Sequence, residues 1–367
     1  MSTLAASPTS AKQESAGFPW LFSARVDLAV FLGSALVSLA LLGVGGMLGI
    51  LHQDTPGWAW VSAILLIDVA HVYATGFRVY FDRRELARRP LLYFGVPVLG
   101  FFAGAGLYSL GAGVFWRVLA YLAVFHFVRQ QYGWVALYRA KGGERELWER
   151  RLDTAAIYLA TIYPLIYWHG HLPRNYEWFL TSDFLPGVPA ALAMVLAPIY
   201  WGVMAAYFIK AIWCWRQGRA NPGKDIVVAT TAVCWYVGII TFNSDYAFTV
   251  TNVIIHGVPY MALVFWYWQM RTPRRENAKQ KTWRMLVMFF GTIWLLAYAE
   301  ELFWDQSVWR ERAWLFGSGL SGSDWKAVLV PLLAVPQLTH YVLDGFIWKR
   351  RRNPELSKIT TPGDGHG

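Results

Sequence analysis

Four histidines carry the chemistry this chain can do, and each lies in the middle of a long apolar stretch. They are His71 in LLIDVAHVYATGFRVYF, His126 in AYLAVFHFVRQQYGWVALY, His256 in TNVIIHGVPYMALVFWYW and His340 in LLAVPQLTHYVLDGFIW. Polar residues accompany each one at helical spacing. Asp68, His71, Thr75 and Arg78 fall at i, i+3, i+7 and i+10, and Asn252, His256 and Tyr260 step by four. His126, Arg129, Gln130 and Gly133 follow i, i+3, i+4, i+7, as do Gln337, His340, Tyr341 and Asp344. In helices these spacings put each set on one face. Ionisable groups in apolar helices are costly and face a bundle interior, so the four faces are expected to converge on one buried polar site.

Neutral imidazole is the commonest protein metal ligand, and its second nitrogen usually donates to a carboxylate or carbonyl. The expected ligands are therefore His71, His126, His256 and His340. Asp68 and Asp344 are expected to orient them or to serve as further ligands. Iron suits this donor set first, copper or zinc after it. Histidine-held iron in a dry membrane pocket fits oxygen chemistry on a lipid or isoprenoid, by hydroxylation, desaturation or double-bond cleavage. Arg129 and Gln130 are expected to position substrate or oxygen, and Arg78 or Arg129 to fix a head group or carboxylate. Tyr341 and Tyr260 are expected to move protons or electrons. Glu300 and Glu301, 16 and 17 residues beyond Arg284, reach the same layer.

Three other readings use the same residues. Paired histidines can ligate haem for electron transfer. Buried His, Asp, Glu and Arg also build transporters and proton relays. A metal-free transferase would use one His as general base on a lipid hydroxyl. Several familiar signatures are absent from the sequence: H-E-x-x-H, a phosphate loop, a dinucleotide fingerprint and the H-x-x-H-H boxes of desaturases. Glu300-Glu301 lacks the Arg of the intramembrane-protease motif E-E-x-x-x-R, because Asp305 stands there. His169-Gly-His171, beside Pro173, reads as a solvated loop. No reductase module is recognisable, so an oxygenase drawing external electrons would need a partner donor.

Apolar helices must hold these residues in place. Of 367 residues, 56% are hydrophobic and only 15% charged, and the mean hydropathy is +0.32. Soluble domains average about 25% charged, so the chain is expected to be an all-α, polytopic membrane bundle. The net charge of +10 sits in clusters between apolar segments, which argues for loops beside a membrane rather than nucleic-acid binding. The partners expected are membrane lipids and a hydrophobic substrate. Cys214 and Cys234 offer neither a disulfide framework nor zinc spacing.

Ten spans approach the roughly 20 residues needed to cross a bilayer: Val26–Leu51, Gly57–Phe81, Pro90–Leu110, Val114–Tyr138, Leu152–Trp168, Pro189–Trp215, Asp225–Phe242, Ala247–Met270, Trp283–Phe303 and Trp325–Trp348. The fifth and seventh are the shortest. Residues 1–24 read as a polar tail without the pattern of a cleaved signal, 25–348 as a single transmembrane domain, and 349–367 as a basic, polar tail. Every second loop is basic, which predicts cytoplasmic termini in a multi-pass protein, of the plasma membrane if bacterial. Counted back from the next basic residue, His71, His126, His256 and His340 lie 12, 13, 15 and 9 positions deep. That is a spread of about 9 Å at helical rise, close enough for one shared site.

Overall fold

The computed structural model describes residues 18–272, 278–319, 325–349, 353 and 355–356. The polar run before Phe18, the Gly/Ser run after Gly319, the middle of the RTPRRENAKQK loop, the arginines after Lys349 and the last residues of the chain lie outside them. The fold is 80% helical with no strand among the described residues, an all-α polytopic bundle.

The long helices are α1 (Ala24–Leu48), α2 (Gly57–Arg78), α4 (Pro90–Ser109), α5 (Ala112–Lys141), α6 (Leu147–Gly170), α7 (Ala190–Arg216), α8 (Pro222–Thr241), α9 (Asp245–Arg271), α10 (Ala278–Trp304) and α12 (Lys326–Ile347). Two short helices, α3 (Arg83–Arg88) and α11 (Ala313–Phe316), lie in connections. Among the described residues, nine helices are long and apolar enough to cross a membrane. The expected fifth span, α6, is a continuous helix of 24 residues but is not among those nine. Asp153, two threonines, three tyrosines and Pro164 dilute its apolar content. It packs on α5, α7 and α8 and buries Asp153, Thr161 and Tyr163 among them. A helix shielded by its neighbours does not need a lipid-compatible surface all round.

Helix α9 is the centre of the bundle. Every residue from Tyr246 to Gly257 is buried. It packs on α1, α2, α8 and α5, while α12 packs on α2 and α5. The four histidine-bearing helices thus touch one another. A glycine permits the closest approach: a Cβ on Gly257 would lie 2.6 Å from Ile67 Cγ2 and 3.1 Å from the Ile67 carbonyl. Gly257→Ala is therefore expected to push α9 off α2 beside His256. Overpacking of this kind costs about 1–3 kcal/mol, which a lowered thermal midpoint in detergent would register.

Local irregularities mark the working regions. Trp60–Val69 of α2 is wound as a π-helix and carries Asp68 just ahead of His71; such turns are frequent at functional sites. Helix α12 is interrupted between Leu333 and Val335, before Pro336 at the start of its second segment, where proline has no amide to donate.

Both expected tails begin inside the fold. The Asp27 carboxylate accepts the amides of Leu21 and Phe22 at 2.7 and 3.0 Å and the Tyr138 hydroxyl at 2.7 Å, which folds residues 18–23 onto the bundle. At the other end Asn353 and Leu356 are buried, and Glu355 pairs with Arg271 at 2.6 Å.

Candidate metal centre

The four histidine rings meet at the crossing of α2, α5, α9 and α12. Ring centroids of His126 and His340 are 4.5 Å apart, and those of His71 and His340 4.8 Å. His256 lies 4.8 Å from His71 and 5.0 Å from His126. All four are buried. Ligand atoms of His71, His126 and His340 lie within 4.8 Å of one another. This buried triad could hold a metal ion.

Hydrogen-bond directions fix how one of these rings, His340, is protonated. Tyr260 donates its hydroxyl to Asp344 Oδ1 at 2.7 Å, so it must accept from Thr75, 3.0 Å away. Thr75 has spent its only proton there, so its oxygen must accept from His340 Nδ1 at 2.8 Å. The chain His340 → Thr75 → Tyr260 → Asp344 leaves a bare lone pair on His340 Nε2. His126 turns Nδ1 toward Asp344 Oδ2 at 3.7 Å, which directs its Nε2 inward as well. The two Nε2 atoms then face each other at 3.1 Å. At that distance His126 either donates an Nε2 proton to the His340 lone pair or shares a cation with it. His71 repeats the pattern, with Nδ1 3.7 Å from Asp68 Oδ1. Neither ring nitrogen of His71 or His256 has a hydrogen-bond partner, and buried polar atoms are seldom left so. Imidazoles backed by carboxylates, with unpartnered nitrogens turned inward, fit a metal site.

His256 stands apart from the triad. Its ring lies flat on Phe127, with centroids 3.5 Å apart and planes 8° from parallel. The four expected ligands therefore divide into three whose ligand atoms converge and one that stacks beside them.

The other candidate residues scatter. Tyr341 stacks on His126 at 4.8 Å. Asp344 is the hub described above and also accepts from Trp348 at 3.2 Å. Glu300 is buried and accepts from Trp304 at 3.1 Å, while Glu301 lines the neighbouring cavity. Gln130 donates to the His256 backbone carbonyl at 2.7 Å, so its amide ties α5 to α9. Arg129 is exposed, bonded to the Tyr158 hydroxyl and stacked over Tyr132, on a side of α5 away from the rings. Arg78 binds Tyr267, the Ile347 carbonyl and Asn353 and lies 3.4 Å from Glu85. It anchors the returning chain rather than a head group. His169 bonds Tyr121, and His171 bonds the Tyr167 carbonyl, both outside the cluster. Cys214 and Cys234 are free and buried.

A cavity of about 900 Å³ runs from the connecting segments around residues 52–55, 174–180 and 309–312 down to the cluster. Its floor includes Asp68, Phe127 and Tyr341, the residues that touch His71, His256 and His126. Sequence reasoning missed this cavity, along with Trp116, Trp304 and Trp309 in its wall. Asp344→Asn would remove the carboxylate charge that backs two imidazoles. It is expected to weaken metal binding by about 10–100-fold, measured by chelator competition. An unchanged Kd would show that Asp344 does not set the ligands.

No protein-family model, curated protein or solved structure matches this chain.

Proposed function

We propose that the protein is a membrane-embedded, metal-dependent oxidoreductase, with non-haem iron as the metal and a lipid, isoprenoid or other amphiphile as substrate. The observation that carries this reading is the pair of facing Nε2 atoms on His126 and His340, the second left with a lone pair by the Thr75–Tyr260–Asp344 chain. His71, His126 and His340 would hold the ion, and Asp68 and Asp344 would keep their rings oriented. Bound iron would supply activation of dioxygen toward a C–H bond or double bond. Phe127 and Tyr341 close the cavity floor and keep water from the rings. Tyr341 is placed between the cavity and His126, where its hydroxyl can hold or pass a proton. With the basic loops cytoplasmic, the cavity opens on the opposite side of the membrane. An external electron donor is part of this reading only if the enzyme is not a dioxygenase.

Packing favours a bare ion over haem. His126 and His340 bring their Nε2 atoms to 3.1 Å, close enough to be neighbouring ligands of one ion. The test is metal analysis with an optical spectrum on detergent-purified protein, followed by oxygen uptake with lipid extracts. Stoichiometric iron without a Soret band, and uptake abolished by chelation, is the expected result. A Soret band would replace this reading with electron transfer. No metal after reconstitution would leave a transporter, a proton relay or a metal-free transferase.

A further inference from the structure

The cavity above the histidines has a chemical character of its own. Six carboxylates line it (Asp54, Asp68, Glu177, Asp245, Glu301 and Glu311) against two guanidinium groups, Arg174 and Arg312. Both arginines are already engaged. Arg174 donates to the carbonyls of Ile239 and Phe242 at 2.7 and 2.9 Å. Arg312 pairs with Glu311 at 3.1 Å and lies over the Trp60 ring at 4.0 Å. Among the described residues, both guanidinium groups on this wall are therefore already engaged.

Deep in the cavity Glu301 is 9% exposed and makes no hydrogen bond to any described residue. One turn further along the helix, Trp304 joins Trp116 and Trp309 in a cluster of three indoles with centroids 5.2–5.7 Å apart. All three line the same cavity. Asp68 lines the same cavity, with Oδ1 turned to His71 Nδ1 at 3.7 Å. A buried carboxylate beside indole faces is the arrangement that recognises organic ammonium groups. A metal ion in transit needs neither the indoles nor a chamber of about 900 Å³, a size usual for small-molecule sites.

We infer that this cavity binds an organic ammonium ion, the amine or quaternary ammonium end of an amphiphile. Glu301 and Asp68 supply the counter-charge, and Trp116, Trp304 and Trp309 form the aromatic wall. As a substrate assignment this rests on the oxidoreductase reading; as a binding site it stands without it.

The test compares octyltrimethylammonium, octanoate and octanol as probes on the full chain in non-ionic detergent, by calorimetry and tryptophan fluorescence. The ammonium probe is expected to bind at least tenfold more tightly than either of the others. Glu301→Gln is expected to weaken it tenfold or more, as loss of a buried charge partner does. Trp309→Leu lies nearer the mouth and tests the aromatic wall should Glu301→Gln fail to fold; its expected effect is a several-fold loss. Equal binding of octanoate or octanol would overturn the inference, as would an unchanged ammonium affinity in Trp309→Leu and in any folded Glu301→Gln. Metal content measured on the same samples separates the two readings. Ammonium selectivity in a protein that takes up no metal would keep the site and remove the oxidoreductase; metal without ammonium selectivity would do the reverse.

Discussion

His126→Ala and His340→Ala are each expected to abolish metal binding, whereas His256→Ala retains a weaker site. The difference follows from where the ring nitrogens point. Nε2 of His126 and Nε2 of His340 are 3.1 Å apart, and His71 completes the converging set. Each of these rings has a carboxylate 3.7–3.9 Å from its outer nitrogen. Protein sites that bind a transition metal through a few ligands draw about 10–16 kcal/mol from them in all. Losing one of three therefore lowers affinity by about a thousandfold or more. His256 touches the triad only through its ring edge and lies flat on Phe127. Metal-to-protein ratios after dialysis against a weak chelator would rank the four alanine variants. Full metal retention in both His126→Ala and His340→Ala would refute the triad. Loss in His256→Ala equal to theirs would make it a fourth ligand and overturn the division of the cluster.

The convergence of the four histidines was legible in the sequence because two simple regularities carry it. Helical periodicity put the polar neighbours on the histidine faces, and distance to the basic loops put those faces at one depth. The arginines were misread for a geometric reason. Arg129 lies about 60° short of a full turn from His126, on the exposed edge of that face, and its long side chain reaches Tyr158 instead. Arg78 shares the face of His71 but lies two turns away, and its long side chain ends at Asn353 and Tyr267. Asn353 and Leu356 follow no hydropathy period, so nothing in the sequence announced that the chain returns to the bundle there. The cavity was invisible for a different reason. Its wall is assembled from the connections around residues 52–55, 174–180 and 309–312, which are far apart in sequence. Trp304 and Trp309 follow no spacing that links them to Trp116, which packs against both.

The second large effect concerns the end of the bundle nearest the basic loops. Asp153→Asn is expected to destabilise the fold by about 3–5 kcal/mol, the usual result of removing one partner from a buried ion pair. Asp153 is fully buried and accepts from Lys210 through Oδ1. Its Oδ2 lies 3.2 Å from both Lys224 Nζ and Arg139 Nε. One carboxylate thus joins α5, α6, α7 and α8. The three cations fare differently without it. Lys224 keeps Glu144 at 2.5 Å, and Arg139 lies near the loop that follows α5. Lys210, 4% exposed, loses its ion pair and keeps the Tyr207 ring, 4.4 Å from its ammonium, and the more distant Asp225 carboxylate that Tyr207 also bonds. Stranding that charge accounts for most of the expected loss, since an unpaired buried ammonium is far costlier than a missing hydrogen bond. Lys210→Met in the Asp153→Asn background should then recover much of the stability, because it removes the stranded charge and keeps the packing stem. Unfolding midpoints of the four proteins of this double-mutant cycle would decide the point. If Lys210→Met adds to the damage instead of relieving it, the cost belongs to Arg139 and Lys224. The network would then be a shared clamp rather than a pair. Metal content per folded chain should not change across the cycle, since none of these residues contacts the histidine cluster, and that separates a loss of fold from a loss of site.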